Sequence, residues 1–362
     1  MKIIISGGGT GGHIFPAVSI GTEIRSRFPD ADILYVGAQG GMEMDLVPKN
    51  GFPIHGVWIS GIQRALTFAN LGKNLLFPVK FVTSLTQAYR IISDFRPDVV
   101  VGVGGYASGP LGRVAAWKKI PLIVCEQNAF PGITNRWLSS HASKILLGNV
   151  DAMKYFDKKK CVITGNPIRN MALLPKEEAA AKMGLSSQKT TILSLGGSLG
   201  AMKINQAIEN QIQSIIAADV QWIWQCGRFY YEKLRMSIPQ HQNIQLVPFV
   251  EDMAAAYSLA DLVVSRAGGS TISELIALSK PSILVPSPNV SEDHQTKNAL
   301  SLVNVEAAVL VKDIEAKENL VKTAISIVQD TNRLSLLTNN IAKVKKHDSA
   351  KEIVNEILKV IH

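Results

Sequence analysis

Residues 2–13 read KIIISGGGTGGH, and this stretch decides the fold of the first half of the chain. The apolar run at residues 3–6 predicts a buried parallel strand, and a helical pattern follows over residues 16–28. Strand, glycine loop and helix form a phosphate-binding arrangement, because glycines bring backbone N–H groups close to an anion and the helix dipole favours negative charge. We expect His13, at the mouth of this helix, to reach the bound ligand.

Two other interpretations of the loop are disfavoured. Three of its glycines match the G-x-G-x-x-G dinucleotide fingerprint, which alone is a weak signal. A dehydrogenase needs an acid at the end of the second strand, but the predicted strand 33–36 runs into Gly-Ala-Gln at residues 37–39. A purely structural turn is disfavoured because five of the six residues before His13 are glycine, and each one lowers stability.

Length and composition indicate a globular protein of two domains, because a chain of 362 residues is too long to fold around a single hydrophobic core of ordinary size. Hydrophobic residues make up 46% and charged residues 19% of the chain. No apolar run reaches the ~18 residues of a membrane span, and Met1 and Lys2 lead directly into a strand, so neither a span nor a signal peptide is predicted. The scattered cysteines, Cys125, Cys161 and Cys226, lack metal-ligand spacing and favour a reducing cytoplasm.

The positive charge is concentrated in the first half. Residues 1–165 contain eighteen basic and ten acidic residues, whereas residues 166–342 have a net charge of −1. Residues 46–93 contain no acid but five bases, interleaved with apolar residues. This pattern is typical of a surface that rests on an anionic bilayer, each base adding about 1 kcal/mol. An ordinary amphipathic helix with a core-facing side explains residues 79–92 equally well. Nucleic-acid binding is disfavoured because no stacking platform or recognition helix accompanies the charge.

Strands and helices alternate along the whole chain, which predicts an α/β fold with doubly wound parallel sheets. We expect a hinge at residues 165–167, Gly-Asn-Pro, and therefore domains at 1–165 and 166–342. The predicted strands begin near Lys2, Ile33, Pro53, Asp98, Leu122, Lys144 and Cys161 in the first half, and near Thr190, Gln221, Asn243, Asp261, Pro281 and Ala307 in the second.

Further glycine loops follow predicted strands at residues 104–109, 196–201 and 266–271. The second of these occupies in the second half the place that residues 7–12 occupy in the first, which indicates a weak internal repeat. Ligands bind outside the carboxyl ends of such strands. We therefore expect one cleft between the two domains, lined by glycine loops.

Several separate motifs occur in a fixed order along the chain. They are Gly8-Gly9-Thr10-Gly11-Gly12-His13, Gly104-Gly105-Tyr106-Ala107-Ser108-Gly109-Pro110, Glu126-Gln127-Asn128, Gly165-Asn166-Pro167-Ile168-Arg169, Gly196-Gly197-Ser198, residues 266–274 and His294-Gln295. Together they resemble the MurG family, the membrane-associated N-acetylglucosaminyltransferases of peptidoglycan synthesis. Leu199 stands where the family usually has Gln, which leaves the backbone roles of Gly197 and Ser198 unaffected.

The resemblance implies a GT-B architecture, in which two Rossmann-like doubly wound domains face each other across a cleft. It implies that UDP-N-acetylglucosamine donates its sugar, with inversion, to the 4-hydroxyl of the muramyl residue of undecaprenyl-pyrophosphate-linked lipid I, forming lipid II. It also implies peripheral attachment to the cytoplasmic face of the bacterial inner membrane, whose anionic surface is a partner together with cell-wall synthesis proteins. No cofactor and no nucleic acid are implied. The family's last helix returns to the first domain, and the apolar stripe within residues 343–362 suits that packing.

The resemblance also implies site residues, for each of which a helix cap or a solvated face is the alternative. Arg169 and the Ser198 loop are suited to bind the diphosphate, and Glu274 is suited to bind two ribose hydroxyls. The backbone at Val250 would contact the uracil. Asn128 and Gln295 would hold the acetamido sugar. The remaining donor-site residues are Thr10, Gly11, Gly12, Gly269, Ser270, Thr271, Ile272 and Ser273. The acceptor and diphosphate loop is Gly104, Gly105 and Tyr106, and the membrane contacts are Lys73, Leu75, Leu76, Phe77, Lys80 and Phe81.

His13 is the predicted base, because the attacking hydroxyl loses a proton and a histidine titrates ordinarily near pH 6.5, about right for neutral solution. Its alternative role is to cap a helix or orient a phosphate. The string Asp30-Ala31-Asp32 is a candidate metal-binding motif. However, it precedes the second strand and so lies at the end of the sheet opposite the glycine loops. Transfer without a bound metal is therefore predicted. A sugar-nucleotide sensor and a glycosyltransferase with a soluble acceptor are the competing function classes.

Overall fold

The structure, a computed structural model, describes residues 1–61, 75–168, 171–197, 199–290, 293–344 and 346–361. The chain folds as two units. The N-terminal unit comprises Met1–Arg169 together with His347–His362, and the C-terminal unit comprises Asn170–Lys346. Each unit is built on its own parallel sheet. Parallel sheets are buried on both faces, so helices cover each sheet from either side.

The sheet of the N-terminal unit places two glycine loops side by side. In space its strands follow the order β3-β2-β1-β4-β5-β6-β7. Because the order reverses between β1 and β4, the loops after these two strands meet at a topological switch point, where ligands bind in such folds. The strands are β1 (Lys2–Ser6), β2 (Asp32–Ala38), β3 (Ile54–Val57), β4 (Val99–Gly102), β5 (Leu122–Glu126), β6 (Lys144–Leu147) and β7 (Cys161–Ile163).

Successive residues of β1 face opposite layers of the N-terminal unit. Ile3 and Ile5 pack into one hydrophobic cluster, and Ile4 packs into the other. The described helices of this part of the chain are α1 (Gly11–Arg27), α2 (Glu43–Lys49), α3 (Phe77–Phe95), α4 (Ser108–Trp117) and α5 (Ile133–Ser139), with 3-10 turns at Val150–Tyr155 and Lys158–Lys160.

Helix α1 begins five residues before the predicted start at residue 16. Thr10 is its N-cap residue, with an extended backbone, and Ile14 N donates to Thr10 O over 3.1 Å. Glycine and proline disfavour helix locally, but the burial of Ile14 and Ala17 against the sheet overrides that preference. His13 therefore lies within the first turn of α1 rather than before it.

The C-terminal unit repeats the arrangement with six parallel strands in the spatial order β10-β9-β8-β11-β12-β13. Its switch point lies between β8 and β11, which also pair directly. The strands are β8 (Thr191–Leu195), β9 (Gln221–Gln225), β10 (Ile244–Val247), β11 (Leu262–Ser265), β12 (Ser282–Leu284) and β13 (Ala308–Leu310). All thirteen predicted strands are present and begin within one residue of the predicted positions.

Nine helices of the C-terminal unit lie in its described residues and cover both faces of the sheet. They are α6 (Lys176–Met183), α7 (Met202–Asn210), α8 (Ile212–Ala217), α9 (Arg228–Ser237), α10 (Met253–Leu259), α11 (Gly269–Leu278), α12 (His294–Val303), α13 (Ala316–Gln329) and α14 (Thr331–Lys343), with a 3-10 turn at Asp313–Glu315.

Helix α15 (Ser349–Ile361) belongs to the N-terminal unit, although it follows the C-terminal unit in sequence. Ile353, Val354 and Ile357 are buried in the same cluster as the apolar face of α1. Arg27 Nη1 also donates to Asn355 Oδ1 over 2.8 Å. Full burial of one such aliphatic side chain contributes about 1.5–3 kcal/mol, so this helix is a substantial part of the N-terminal core.

The division between the units falls after Arg169, four residues beyond the predicted boundary at Gly165. Contacts with the N-terminal unit explain the difference. Buried Asn166 donates to Gln127 O over 2.9 Å, and Ser19 Oγ donates to Ile168 O over 2.8 Å. The segment expected to act as the hinge is therefore held by the first unit.

Candidate active site

The loop after β1 is organised around the peptide between Gly8 and Gly9. The Gly9 N–H donates to Glu43 Oε2 over 2.9 Å, and the second oxygen of that carboxylate accepts from Ala38 N over 2.9 Å. Glu43 is fully buried. Glu43 follows β2 closely, where a dinucleotide site would need an acid. Its carboxylate is buried and bonded to the glycine loop, so it is not accessible to a ribose.

The His13 ring packs between the two glycine loops. Its Nδ1 lies 3.1 Å from Gly8 O and 3.4 Å from Thr10 Oγ1. A carbonyl can only accept, so this contact requires a proton on Nδ1 and leaves Nε2 as the basic nitrogen. Gly104, at φ +95°, approaches the ring so closely that a Cβ there would lie 2.9 Å from Nε2. His13, Thr10 and Gly104 therefore lie together at the carboxyl end of the first sheet.

The loop after β4 is fixed by a buried hydroxyl. Ser108 Oγ lies 2.8 Å from Ser6 O and 2.9 Å from Gly104 O, which ties this loop to β1. Gly105 allows direct backbone contact, since a Cβ there would lie 2.5 Å from Gly8 O. Tyr106 is 51% exposed at the edge of the loop. The two glycine loops thus form one packed surface at the switch point, with Gly11 and Gly12 in the first turn of α1 beside them.

Asn128 is positioned by a second buried carboxylate. Glu126, at the end of β5, accepts from Asn128 N over 2.9 Å, from Gly132 N over 3.0 Å and from Asn135 Nδ2 over 2.8 Å. Three N–H donors on one carboxylate offset its desolvation. Asn128 is half-buried at the carboxyl edge of the sheet, and Glu126 holds the turn that presents it.

In the C-terminal unit, Gln225 joins two of the predicted binding segments. Its Nε2 donates to Gly197 O over 2.9 Å, and its Oε1 accepts from Val250 N over 3.2 Å. The Val250 side chain is buried, which suits a role through the backbone. Ser198, in the same glycine loop, lies outside the described residues, as do Arg169 and Lys73.

Helix α11 begins at the carboxyl end of β11, beside the second switch point. Gly269, Ser270 and Thr271 form its half-exposed first turn, which contains no acidic residue. Such an N-terminus attracts anions through its N–H groups and the helix dipole. One turn further, Ile272 is buried and Ser273 Oγ donates to Gly269 O over 3.0 Å. The backbone of this turn, more than its side chains, suits a phosphate.

Glu274 and Gln295 are both held by partners within the C-terminal unit. The Tyr257 hydroxyl donates to Glu274 Oε2 over 2.9 Å, and both residues are buried. Gln295, in the first turn of α12, accepts from Ser287 N over 2.8 Å through Oε1. Because the carboxamide oxygen of Gln295 is bonded to the Ser287 backbone, its NH₂ group is the part that can donate to a ligand.

The expected membrane surface is partly exposed. Leu75 is 74% exposed, and Phe77 and Phe81 are half-buried against the core. Lys80 Nζ donates to Ser60 Oγ over 2.9 Å. Further exposed apolar residues extend this area. We define the α3–α5 surface as Leu75, Leu76, Val79, Val82, Trp117 and Trp137, which are all exposed.

Cations lie among these apolar side chains. The Arg113 guanidinium is 5.4 Å from the Trp117 ring centre and 5.9 Å from that of Trp137, and Lys118 Nζ is 4.1 Å from the Tyr89 ring. Helix α3 has the core-facing side expected of an amphipathic helix, formed by Ala88 and Ile92, while Val79 and Val82 are exposed. Among the described helices, none is both long and apolar enough to span a bilayer.

The Asp-x-Asp string lies where the sequence predicts, away from the glycine loops. Asp32 is the first residue of β2, at the amino end of the sheet, and its carboxylate is 3.7 Å from Lys2 Nζ. Asp30 is exposed. In the part of the chain that the structure describes, there is no group of three or more His, Cys, Asp or Glu side chains that could hold a metal ion.

Comparisons with known proteins agree over the whole chain. Residues 3–147 match the glycosyltransferase family 28 N-terminal domain, and residues 191–356 match the family 28 C-terminal domain. A Parabacteroides distasonis protein named UDP-N-acetylglucosamine--N-acetylmuramyl-(pentapeptide) pyrophosphoryl-undecaprenol N-acetylglucosamine transferase is 50% identical, covering 99% of this chain and 98% of its own. A Phocaeicola vulgatus protein of the same name is 47% identical over 99% and 96% of the two chains.

Solved structures agree with this result. The crystal structure of Acinetobacter baumannii MurG superposes with a TM-score of 0.75 at 26% identity and covers 99% of each chain. A UDP-GlcNAc 2-epimerase from Neisseria meningitidis, solved with UDP-GlcNAc bound, has a TM-score of 0.68 at 13% identity over 99% of this chain and all of its own. The second likeness shows the fold alone.

Proposed function

The chain belongs to the MurG family of N-acetylglucosamine transferases, and from this premise we propose how it acts. It transfers N-acetylglucosamine from UDP-N-acetylglucosamine to N-acetylmuramyl-(pentapeptide) pyrophosphoryl-undecaprenol. The acceptor atom is the 4-hydroxyl oxygen of the muramyl residue, and the anomeric carbon is inverted. The product is lipid II.

The observation that carries the proposal is the His13 ring, held by Gly8 O and packed on Gly104 at the switch point of the first sheet. The acceptor oxygen attacks the anomeric carbon of the donor as the bond from that carbon to the UDP oxygen breaks. UDP leaves with the electron pair of that bond, and the acceptor proton passes to His13 Nε2. A base positioned in this way contributes about 10²–10⁴-fold to the rate.

The C-terminal unit supplies most of the donor site in this proposal, and Arg169, the last residue of the first segment of the N-terminal unit, is added to it. The first turn of α11 binds the diphosphate through backbone N–H groups, and Glu274 binds the ribose hydroxyls. The Val250 carbonyl reads the uracil N3–H, since the Val250 N–H already donates to Gln225. Arg169 and the Ser198 loop complete the diphosphate site, where negative charge develops as UDP leaves. These donors make a metal unnecessary, so we expect a chelator such as EDTA to leave turnover unchanged.

The acetamido sugar is assigned to Asn128 and Gln295. The Asn128 side-chain amide lies 3.3 Å from Glu126 Oε1, and its backbone N–H is fixed by the same carboxylate. The Gln295 carboxamide is orientated by Ser287 N. Both amides are therefore ordered before a ligand arrives, which lowers the entropic cost of recognising the N-acetyl group.

We further propose that the enzyme works at an anionic membrane surface, because its acceptor carries an undecaprenyl chain. The α3–α5 surface combines exposed apolar side chains with Lys80, Arg113 and Lys118. Such a combination binds a bilayer peripherally, through buried apolar area and attraction to anionic headgroups. On this basis the enzyme lies at the cytoplasmic face of the inner membrane.

Incubation of the purified chain with radiolabelled UDP-N-acetylglucosamine and a lipid I analogue tests the transfer. We expect a disaccharide with a β-linkage, because the donor is an α-glycoside and inversion reverses it. An otherwise identical acceptor that lacks the 4-hydroxyl is the control and should give no product. Hydrolysis of the donor at the same rate with either acceptor would exclude the transfer.

A glycosyltransferase with a soluble acceptor is the second candidate. Pelleting with vesicles distinguishes the two. The proposed enzyme should bind phosphatidylglycerol vesicles in a salt-sensitive manner, and changing Lys73 and Lys80 to Glu should weaken that binding. Equal binding to neutral and anionic vesicles would favour the soluble enzyme.

A further inference from the structure

Glu43 is a buried carboxylate immediately behind the first glycine loop, and the reaction described above does not use it. It is fully buried in α2 and accepts one hydrogen bond from Gly9 N and one from Ala38 N, each 2.9 Å long. A buried charge is costly unless hydrogen bonds satisfy it. The two N–H donors therefore stabilise the carboxylate in this buried position.

Three glycines leave space for this carboxylate and fix its position. A Cβ at Gly8 would lie 2.1 Å from Glu43 Oε1, one at Gly37 would lie 2.4 Å from Cγ, and one at Gly41 would lie 2.5 Å from the carboxyl group. Gly37 and Gly41 lie outside the first glycine loop. Their small size is explained by the Glu43 side chain, which indicates that the place of the carboxylate matters to the fold.

The Gly8–Gly9 peptide connects Glu43 to His13. The N–H of this peptide belongs to Gly9 and donates to Glu43 Oε2, while the C=O of the same peptide belongs to Gly8 and lies 3.1 Å from His13 Nδ1. One planar, polarisable group thus joins a carboxylate to an imidazole. Hydrogen bonds in series strengthen one another, so a carboxylate on the N–H makes the C=O a stronger acceptor.

We propose that Glu43 is a positioning residue for the transfer: through the Gly8–Gly9 peptide it holds His13 with Nδ1 protonated and makes Nε2 a stronger base. This inference rests on the proposed function. A carboxylate that contacts a catalytic histidine directly acts in the same way, by fixing the tautomer and stabilising the imidazolium. Here a backbone amide stands between the carboxylate of Glu43 and the imidazole of His13. The glycine loop proposed to bind substrate therefore also transmits the influence of Glu43 on the basicity of His13.

Other titratable groups lie on the elements packed against α1. They include Lys2 on β1, Asp45 and Lys49 on α2, and Lys351, Glu352, Glu356 and Lys359 on α15. His347 precedes α15, Tyr106 follows β4, and Glu126 lies behind Asn135. Glu43 is linked to the imidazole by the two hydrogen bonds described above.

A double-mutant cycle with Glu43→Gln and His13→Gln tests the proposal. Glutamine keeps the shape but loses the charge and one acceptor. In the wild-type background we expect kcat to fall about tenfold or more, with the KM for the donor within about twofold and the acidic limb of the pH–rate profile moved to lower pH by about half a unit. In the His13→Gln background the same Glu43→Gln change should lower kcat by less than about twofold. Equal losses in both backgrounds would mean that Glu43 merely supports the loop, and the proposal would be wrong.

Asp45→Asn is the matched control, because Asp45 is an exposed acid on the same helix. It should leave kcat and the pH profile unchanged. If Asp45→Asn moves the acidic limb as far as Glu43→Gln does, the effect is one of overall charge and the relay is excluded.

Nuclear magnetic resonance of the ¹⁵N-histidine-labelled wild-type chain tests the relay without any turnover. Comparison with the His13→Gln spectrum identifies the His13 nitrogens. We expect the neutral ring to carry its proton on Nδ1, and a predominant Nε2–H form would overturn the proposal even if Glu43→Gln failed to fold. Because this readout needs neither donor nor acceptor, its failure is distinct from an absence of transferase activity in the wild type, which would refute the proposed function.

Discussion

Tyr257 donates its hydroxyl hydrogen to Glu274 Oε2 over 2.9 Å, and both residues are buried in the C-terminal unit. The bond joins the middle of α10 to the second turn of α11. A hydrogen bond to a charged group contributes about 1.5–3 kcal/mol when it is desolvated. Tyr257 therefore restrains the carboxylate that we assign to the ribose hydroxyls.

Replacing Tyr257 by Phe should raise the Kd for UDP about tenfold, because Glu274 then gains rotational freedom before it binds the ribose. Titration calorimetry measures the change. Tyr231→Phe, on a half-buried tyrosine of the same unit, is the control and should leave the Kd unaltered. Because the effect acts through the ribose, the preference for UDP over 2′-deoxy-UDP should fall as well; an unchanged preference would contradict the assignment.

His13→Gln should lower kcat by about 10²–10⁴-fold with little change in the KM for UDP-N-acetylglucosamine, since a base acts in the transition state. The acidic limb of the pH–rate profile should disappear. Steady-state kinetics at saturating lipid I analogue gives both results. His55→Gln changes an exposed histidine of the same unit and serves as the control. Near-normal turnover of His13→Gln would remove His13 from this role.

Gly104→Ala should abolish most activity, because its Cβ would lie 2.9 Å from His13 Nε2 and displace the ring. Gly184→Ala is a close control: Gly184 also has a positive φ, of +66°, but no atom lies within 4 Å of its Cβ position. Both changes should cost about 1–2 kcal/mol of stability through backbone strain. Turnover should fall in the first variant alone, and equal turnover in the two would show that the ring tolerates the methyl group.

The double variant Leu75→Ser/Val82→Ser should weaken binding to phosphatidylglycerol vesicles by about tenfold or more, because each side chain loses apolar area that the bilayer would bury. Sedimentation with vesicles measures the partition. Ile314, 81% exposed in the C-terminal unit, provides the control variant Ile314→Ser. If that variant loses as much affinity, the α3–α5 surface is not the contact.

Cys125 should make stability fall at high pH. Burial, together with the neighbouring Glu126 charge, raises the pKa of its thiol to about 12. In the unfolded chain a thiol titrates near pH 8.5, so between about pH 9 and 12 the unfolded state binds fewer protons and is favoured. The free energy of unfolding should decrease by about 1.4 kcal/mol per pH unit from this group. Denaturant unfolding of Cys125→Ala across that range should show a shallower decline than the wild type; parallel curves would refute the assignment.

The strands and the site loops could be predicted from the sequence because their signals are local. Buried parallel strands read as short apolar runs, and each glycine loop follows one of them directly. The start of α1 could not be predicted, since Pro16 and the glycines favour a later start and the burial of Ile14 against the sheet decides otherwise.

The supporting side chains of the site were missed for a different reason. Glu43, Gln225 and Tyr257 each act through contacts distant in sequence, such as the 34-residue separation between Gly9 and Glu43. Glu126 instead acts through local contacts, two to nine residues along the chain. Only Glu126 had a local signal, as part of the Glu-Gln-Asn motif after β5. For the other three, an isolated polar residue in a strand or helix looks no different from a solvated one until the tertiary contacts are known.

The return of α15 to the first sheet has a consequence for biosynthesis. Ile353, Val354 and Ile357 fill part of the same apolar interior as Ile3 and Ile14, yet some 340 residues separate the two groups in translation order. Domains emerging from the ribosome usually mature from the amino end. Here the continuous segment Asn170–Lys346 can fold first. The N-terminal segment, although it is synthesised earlier, cannot complete its core until α15 has been made.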